Sequence, residues 1–589
     1  MHWLASLAYL ASFVSCDAPP AGPAEPPRLV VLIVIDQFPA WVLPKVQPHL
    51  APAGLRRLFE QGAWFEQAYF PQAATITGPG HAMIATGALP AGHGIAGNVW
   101  YDRSIASPDA REVYCVRDDS VRIIGGPAAG ETPVSPRLLT ATTFGDELRV
   151  ATGFRSRIVA ASMKDRGAVL LAGHTGKSFW YSAQSGRFLS STYYYDIKPP
   201  GWADQFNAAR PAEKHLRSRW SLLLDPAQYA APPDDRPFEM PPKGLGRTFP
   251  HVLGTPDMQV GGDYFKLLAF TPAGVGLLLD FGRAAIAGEQ LGSRGVTDVL
   301  ALSLSSNDYV GHAFGPESIE YLDLMLQTDR LLEKFFADLD RSVGAGRWLA
   351  VLTSDHGAAP SPEYLREQGM PVGRVDPGQL VAAADKALDD AFGTDDWVAT
   401  LHEPGIFLRP EPLRKHKLSP AAAQRAAAAA CQRVTGISEV FAASDLVAGR
   451  LPDSAVARAA AATLHPDRSP DLIVVPKPYW YLDREIDRMA AMHGTPYPYD
   501  AHVPVVFYGP GIPAGRRADR VSITDIAATL ATILRTSAPS HCEGKSLIGP
   551  AALRPGHSGG PVDIDRMVAA IKAARERVGP DDRTKLLEP

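Results

Sequence analysis

The chain has 589 residues, of which 46% are hydrophobic, and it carries a formal net charge of −5. A chain of this length and composition can bury a large core, but its length does not fix the number of domains. The nearly balanced charge gives no support for binding to nucleic acid or to an acidic membrane, so any affinity for an anionic substrate must be local.

The N-terminus has the composition of an export signal. Residues 1–16 are mostly apolar and contain no acidic side chain, and they are too few to span a bilayer comfortably. The segment ends at Cys16 in a pattern that resembles a bacterial lipobox, although Phe13 departs from the usual Leu or Val. Two outcomes stay open: a lipid anchor on Cys16, or ordinary cleavage nearby that leaves residues 17–27 as a flexible leader. In both cases we expect a periplasmic or secreted protein.

Beyond Cys16 the chain has three further cysteines, Cys115, Cys431 and Cys542. Their odd number, their wide spacing and the lack of a CxxC pair argue against a structural zinc site or a dense disulfide framework. One disulfide with one free thiol stays open. The rest of the sequence shows no second apolar run of about 18 residues, so we expect its body to be water-soluble.

Short apolar runs separated by helical patterns predict an α/β fold, with a mostly parallel central sheet and helices on both faces. The runs are 29–35, 157–162, 299–304, 348–353, 472–475 and 503–507. Several of them end in polar clusters, and ligands in such folds gather at the carboxyl ends of the strands. We therefore expect these clusters to meet at one edge of the sheet.

Helical patterns cover 318–339, 419–434 and 522–534, and the first and last of these are expected to pack on the sheet. Three long stretches rich in Pro, Gly and aromatic residues fit this layout poorly. They are 99–150, 178–260 and 358–470. We expect them to be insertions that form a cap over the strand ends, because long excursions in compact domains tend to be lids or binding loops.

Carboxylates and imidazoles occur together at the predicted strand ends, and this combination of ligands suits zinc. These residues are Asp36, Asp308, His312, Asp355, His356 and His493. A single Asp at a strand end is more often a cap or a turn former. Four such places in one chain favour a metal centre.

Thr77 precedes Gly78 and Pro79, just before a short predicted helix over 81–86. A threonine in this position is by default a helix N-cap. The N-terminus of a helix also stabilises an anion, and a hydroxyl there becomes a nucleophile when metal coordination lowers its pKa. The capping role and the nucleophilic role both stay open at this point.

A charged triplet, Lys164-Asp165-Arg166, follows the predicted strand 157–162. Such a triplet is usually a solvated loop. Residues 164 and 166 project to the same side of an extended chain, so together they could clamp the free oxygens of a phosphate. Asn98, downstream of Thr77, offers a further hydrogen-bond donor.

The order of these residues resembles that of the type I phosphodiesterase and nucleotide pyrophosphatase branch of the alkaline phosphatase superfamily. Within this branch the chain is most similar to the phosphate-irrepressible alkaline phosphatases, which use a threonine nucleophile. The likeness covers residues 28–548. It includes the phrases SSNDYVGHAFGPES, LTSDHGAAP, HGTPYPYDAHVPVVFYGPGI and TDIAATLATIL.

The resemblance implies an alkaline-phosphatase-like three-layer sandwich over residues 28–550 and two Zn²⁺ ions. We expect residues 551–589 to form a C-terminal extension with a helix. It implies one zinc ion held by Asp308, His312 and His493. It implies a second zinc ion held by Asp36, Asp355 and His356, with the oxygen of Thr77 as a further ligand. It also implies contacts to phosphate oxygens from Asn98, Lys164 and Arg166.

Lys164 and Arg166 favour a phosphate monoester over a diester, because a monoester dianion carries one more anionic oxygen for two cations to stabilise. We expect a monomeric enzyme that hydrolyses small phosphate monoesters through a phosphothreonine on Thr77. The alternative on the same scaffold is a phosphodiesterase or nucleotide pyrophosphatase. A sulfatase is disfavoured because the segment after Thr77 lacks a CxPxR-like motif, and a catalytically dead surface-binding protein is disfavoured by the complete set of ligands.

Overall fold

The structure is a computed structural model that describes residues 26–107, 111–483 and 489–549. The predicted signal segment 1–16 with Cys16, nearly all of the predicted leader, and the predicted C-terminal helix within 551–589 lie outside the described residues. Cys115, Cys431 and Cys542 are free thiols. No disulfide therefore joins any two of these three cysteines.

Ten strands form a central sheet and four form a second sheet. In chain order they are β1 Leu29–Ile35, β2 Ala63–Tyr69, β3 Ile123–Ile124, β4 Ile158–Ser162, β5 Lys177–Tyr181, β6 Phe188–Ser191, β7 Asp298–Leu304, β8 Trp348–Thr353, β9 Val398–His402, β10 Gly405–Leu408, β11 Ile437–Ala442, β12 Leu472–Pro476, β13 His502–Tyr508 and β14 Gly515–Ser522. The central sheet has the order β14-β2-β13-β8-β1-β7-β4-β5-β6-β3. Its middle strands, β8 to β5 in this order, pair in parallel.

The strand β1 shows how the core is divided, because it is buried along its whole length. Successive side chains of a strand point to opposite faces. Leu29, Val31 and Ile33 accordingly belong to one hydrophobic core and Val30 and Leu32 to the other.

Helices cover both of these cores. Those on the first face include Leu55–Gln61, Gly201–Ala208, Pro272–Glu289 and Ile319–Leu339. Those on the second face include Thr77–Thr86, Phe144–Ala151, Asp165–Ala172 and Asp525–Leu534. The predicted three-layer α/β fold, with a mostly parallel sheet between two layers of helices, is confirmed.

The second sheet corrects the prediction for the run at 472–475. This run forms β12, which pairs antiparallel with β10 and β11 in a separate four-stranded sheet. The helices Pro377–Phe392 and Pro420–Cys431 pack on that sheet around a core of their own. Both faces of β12 are covered, because Leu472 and Val474 enter this core while Ile473 enters a further one. A short strand that is buried on both faces therefore has the same continuous apolar sequence as a strand of the central sheet, and the two cannot be told apart by this pattern.

Other elements of the central sheet also differ from the expectation. The run at 503–507 lies in β13, which is antiparallel to both of its neighbours. The stretch 178–260, expected as an insertion, begins with β5 and β6 of the central sheet, and the stretch 99–150 contributes β3 and the helix Phe144–Ala151. The inserted material is therefore shorter than expected in both stretches.

The inserted segments contact the elements at the strand ends. The Met240 N–H donates to the carbonyl of Ala313, in the helix that follows β7, at 2.7 Å. Glu403, which lies between β9 and β10, is close enough to His312 for their charges to interact. Burial raises the pKa of Glu403 to about 7, and His312 opposes this shift.

Among the described residues, no single helix is long and apolar enough to cross a bilayer. Only the pair Gly262–Leu268 and Pro272–Glu289, which is bent by 86°, meets these criteria together.

Candidate functional site

The candidate site lies at the carboxyl ends of the parallel strands. Asp36 follows β1, the pair Asp355 and His356 follows β8, and Lys164 follows β4. Asp308 lies in the first turn of the helix that follows β7. Because these four strands are neighbours, side chains that are distant in sequence meet at one edge of the sheet.

Asp308, His312 and His493 converge as one group of possible metal ligands. The Nε2 atoms of His312 and His493 lie 3.2 Å and 3.6 Å from Asp308 Oδ1. Each Nδ1 donates to a backbone carbonyl, that of Ala491 at 2.8 Å and that of Thr75 at 2.9 Å. A ring that donates from Nδ1 presents the lone pair of Nε2, and metal-binding histidines share this arrangement.

Asp36, Asp308 and His356 form a second converging group. His356 Nε2 lies 3.5 Å from Asp36 Oδ1 and 3.5 Å from Asp355 Oδ2, and its Nδ1 donates to the Gly357 carbonyl at 3.0 Å. Asp36 Oδ1 and His356 Nε2 are buried without a hydrogen-bond partner, while Asp36 Oδ2 lies beside Lys164 and Asp355 Oδ2 lies beside His81. A cation at this place would satisfy these buried atoms, and their chemistry fits zinc.

The two groups and the neighbouring Asp355 place three buried carboxylates around one buried ammonium. Lys164 Nζ lies 2.5 Å from Asp308 Oδ2 and 2.8 Å from Asp36 Oδ2. Burial and the charge of Asp355 raise the pKa of Asp36 well above its usual value, although Lys164 opposes this shift. One ammonium does not balance three carboxylates, so the donor set favours divalent cations.

Thr77 is the first residue of the helix Thr77–Thr86, which begins earlier than the predicted 81–86. The N-cap residue is Ile76, so the capping role considered for Thr77 is wrong. The side chain of Thr77 is instead directed to the site, where its Oγ1 lies 3.5 Å from Lys164 Nζ. The residue is only 1% exposed, and a hydroxyl at a buried helix N-terminus is well placed for a reaction in which it carries negative charge.

Neighbouring side chains fix the start of this helix. The Gly78 N–H donates to Asn98 Oδ1 at 2.8 Å, which leaves the Asn98 amide NH₂ group as a donor. His81 Nδ1 lies 2.9 Å from the Thr77 carbonyl and 3.2 Å from Asp355 Oδ2. His81 therefore ties the helix that carries Thr77 to the strand end that carries Asp355, a role that the sequence did not reveal.

Arg166 lies in the first turn of the helix Asp165–Ala172, whereas Lys164 is its extended N-cap residue. The prediction that both cations project from an extended chain is therefore wrong for Arg166. Arg166 Nη1 lies 3.4 Å from the Tyr114 hydroxyl, which itself donates to Asp165. The charge of Arg166 still interacts with that of Lys164, so the two cations act on one region.

Gln37 is a second residue that the sequence did not reveal. Its Nε2 donates to Asp308 Oδ1 at 2.9 Å and its backbone N–H donates to Asp355 Oδ1 at 3.2 Å. Gly311 makes room for it, since a Cβ at that position would lie 1.7 Å from Gln37 Oε1. The only sequence signals were its place directly after Asp36 and a glycine just before His312.

We expect Gln37→Ala to weaken metal binding by about 10- to 100-fold, because hydrogen bonds from outside the ligand shell orient the ligands of a metal. Competition with a coloured chelator measures the affinity. Gln72→Ala is the matched control, since this buried glutamine donates to the Ala74 carbonyl at 2.9 Å and contacts none of the candidate ligands. Equal affinities in Gln37→Ala and the unaltered enzyme would show that Gln37 has no such role.

Residues 30–496 match the type I phosphodiesterase / nucleotide pyrophosphatase family. The chain is 34% identical over 525 residues to alkaline phosphatase PhoV of Synechococcus elongatus, covering 88% of this chain and 92% of that one. It is 33% identical over 522 residues to a protein of Myroides odoratus named a calcium-transporting ATPase, covering 88% and 93%. It is 31% identical over 549 residues to alkaline phosphatase PafA of Elizabethkingia meningoseptica, covering 92% and 98%.

The fold agrees with these similarities. The crystal structure of wild-type alkaline phosphatase PafA superposes with a TM-score of 0.80 at 31% identity, over 89% of this chain and 98% of that chain. Fold and site together define an enzyme with phosphoric ester hydrolase activity. The chain belongs to the type I phosphodiesterase / nucleotide pyrophosphatase family, which confirms the resemblance noted in its motifs.

Proposed function

We propose that the enzyme hydrolyses phosphate monoesters with two bound zinc ions, through a phosphothreonine on Thr77. The position of Thr77 Oγ1 carries this proposal. It lies at a buried helix N-terminus and 3.5 Å from Lys164 Nζ, which in turn contacts candidate ligand carboxylates of both groups. A hydroxyl beside two candidate metal positions and an ammonium has the surroundings that an attacking alkoxide requires.

Two sets of side chains would hold the zinc ions. The first set is Asp308, His312 and His493. The second set is Asp36, Asp355 and His356, with Thr77 as a further ligand. The unpartnered buried atoms of the second set support this assignment. Zinc, when bound, supplies a Lewis acid that stabilises developing oxyanions and lowers the pKa of a coordinated hydroxyl.

The reaction would then consist of two displacements at phosphorus. Thr77 Oγ1 loses its proton to solvent and attacks in line, its new bond to phosphorus forms, and the leaving oxygen departs with the electrons of the bond that breaks and takes a proton from water. Water attacks the phosphothreonine from the vacated side, the bond to Thr77 breaks, and inorganic phosphate is released. Asn98, Lys164 and Arg166 would bind the non-bridging oxygens, where hydrogen-bond donors and cations stabilise the transition state most.

The relatives support this assignment of residues. A solved variant of PafA carries changes at one threonine, one asparagine, one lysine and one arginine. Thr77, Asn98, Lys164 and Arg166 are the same four residue types in the same order along this chain. We therefore assign to them the attacking group and the three contacts to the phosphoryl oxygens.

Phosphodiesterase or nucleotide pyrophosphatase activity is the second candidate, and the description of the matched family favours it. Two cations beside the phosphoryl group favour the monoester dianion instead. The ratio of kcat/KM for an aryl phosphate monoester and the matched aryl diester distinguishes the two activities. A ratio above one supports the monoesterase, and a ratio below one supports the diesterase.

We expect a chelator to abolish turnover and added Zn²⁺ to restore it, while Mg²⁺ restores little. Imidazole ligands suit zinc, whereas Mg²⁺ prefers oxygen ligands and retains several waters. Phosphate release, measured with metal content on the same sample, tests this expectation. Full activity in a metal-free sample would contradict the zinc-dependent mechanism.

We also propose that the enzyme acts as a monomer on small phosphate esters in the periplasm or outside the cell, without binding nucleic acid. The apolar composition of residues 1–16 supports export, and Cys16 offers a position for a lipid anchor. Incorporation of labelled palmitate at Cys16 distinguishes lipid attachment from ordinary cleavage.

A further inference from the structure

Four ionisable side chains cluster between an inserted segment, which is the part of the stretch 178–260 that follows β6, and the first turn of the helix Ile319–Leu339. They are Asp234, Glu239, His251 and Glu320. Glu239 is 3% exposed and His251 and Glu320 are 0% exposed. None of the four belongs to the groups of candidate ligands around Thr77.

His251 has the hydrogen-bonding pattern of a metal ligand. Its Nδ1 lies 3.2 Å from the Leu245 carbonyl and donates to it, so the neutral ring presents the lone pair of Nε2. This Nε2 is buried without a hydrogen-bond partner, and so are both carboxylate oxygens of Glu320. His312, His356 and His493 show the same pattern, each with a backbone carbonyl at Nδ1.

The spacing of the two side chains also fits a shared cation. His251 Nε2 lies 3.4 Å from Glu320 Oε1. The corresponding nitrogen-to-oxygen distances in the two groups near Thr77 run from 3.2 Å to 3.6 Å. Two ligands about 2.1 Å from one tetrahedral ion lie roughly 3.4 Å apart.

The carboxyl groups of Asp234 and Glu239 lie close enough to Glu320 for their charges to interact. Burial and Asp234 raise the pKa of Glu320 well above its usual value, and burial and Glu320 raise the pKa of Glu239 to about 9. The arginines of this segment bind other partners, since Arg236 pairs with Glu367 and Arg247 with Asp235. A divalent cation bound here would displace protons from these carboxyl groups, because a metal binds the deprotonated form of its ligands.

His93 shows that burial alone does not produce this arrangement. It is also 0% exposed, and its Nε2 also lacks a hydrogen-bond partner. Its Nδ1, however, accepts from the Ile95 N–H at 3.1 Å, so the neutral ring carries its proton on Nε2. His93 therefore presents no lone pair to a cation.

We propose that His251 and Glu320, with Asp234 and Glu239 near Glu320, bind a structural divalent cation of the zinc or manganese class. Mixed imidazole and carboxylate ligands suit these ions. The bound ion would join the inserted segment to the helix Ile319–Leu339. The same segment contacts the helix that carries Asp308 and His312, because the Met240 N–H donates to the Ala313 carbonyl. The ion would thus stabilise one wall of the catalytic site.

The test counts ions in the full chain. Chelator-treated protein is dialysed against Zn²⁺, Mn²⁺ or Ca²⁺ in separate samples, and the bound metal is measured per chain. With Zn²⁺ or Mn²⁺, the unaltered enzyme should bind one ion more than His251→Gln or Glu320→Gln, and His93→Gln should match the unaltered enzyme. Equal counts in all four proteins would overturn the proposal, and an extra ion with Ca²⁺ alone would overturn the assigned metal class.

A second measurement does not depend on the variants folding. Crystals of the unaltered enzyme grown with Zn²⁺ should show an anomalous difference peak between His251 Nε2 and the Glu320 carboxylate. Peaks near Thr77 with no peak beside His251 would overturn the proposal while leaving the proposed catalytic mechanism intact.

Discussion

Thr77→Ala should lower kcat/KM for phosphate monoesters by at least about a thousandfold, because it removes the attacking oxygen of a covalent mechanism. The bound metal should remain, since the other candidate ligands are untouched. Asn98, Lys164 and Arg166 would still bind the phosphate, so we expect kcat to fall far more than substrate affinity. Phosphate release, inhibition by inorganic phosphate and metal content on one preparation measure all three quantities.

Two variants serve as controls for this experiment. Thr77→Ser keeps a hydroxyl at the same position and should retain activity within roughly tenfold. Thr86→Ala removes a buried hydroxyl from the other end of the same helix, where it donates to the Ala82 carbonyl at 2.7 Å, and should leave the rate nearly unchanged. Substantial turnover by Thr77→Ala with its metal in place would rule out Thr77 as the nucleophile.

Replacement of Lys164 and Arg166 by Ala together should reduce monoester hydrolysis by about a thousandfold or more, but diester hydrolysis by only about tenfold. Loss of a single stabilising donor at a developing oxyanion costs about 10²- to 10³-fold. The loss should be larger for the monoester because its non-bridging oxygens carry more charge. The ratio of the two kcat/KM values, measured on matched aryl esters, reports this difference directly.

Arg166→Ala alone is the cleaner of the two single variants. Lys164 also contacts Asp36 and Asp308, so its removal changes the charge around the candidate ligands, whereas Arg166 contacts Tyr114. Metal content must therefore accompany every rate for Lys164→Ala. An equal loss on monoester and diester with full metal content would show that these cations do not set the specificity.

The layout of the central sheet could be predicted where strands are buried on both faces. Runs such as 29–35 and 348–353 are continuous in apolar residues because helices cover both sides of them. The same pattern failed at 472–475, because β12 is equally covered inside the second sheet. It also failed at Gly515–Ser522, an exposed edge strand whose charged side chains oppose further strand pairing and give no apolar signal.

Most of the candidate ligands could be predicted because they lie in short motifs at or just after strand ends, whereas His493, expected at a strand end, lies in a connection between strands. Gln37 and His81 could not, since each acts through hydrogen bonds that form only when distant strand ends meet. The geometry of Arg166 was also missed, because a helix begins at Asp165 where an extended chain was expected. Residue types at a site were therefore easier to predict than the contacts that orient them.

The stereochemistry at phosphorus tests the central claim most directly. A phosphate monoester made chiral with three oxygen isotopes serves as the phosphoryl donor, and an alcohol takes the place of water as the acceptor. The configuration at phosphorus in the new ester is then compared with that of the donor. Two in-line displacements through a phosphothreonine on Thr77 predict overall retention. Inversion would mean that the acceptor attacks the substrate directly, and it would contradict the covalent mechanism.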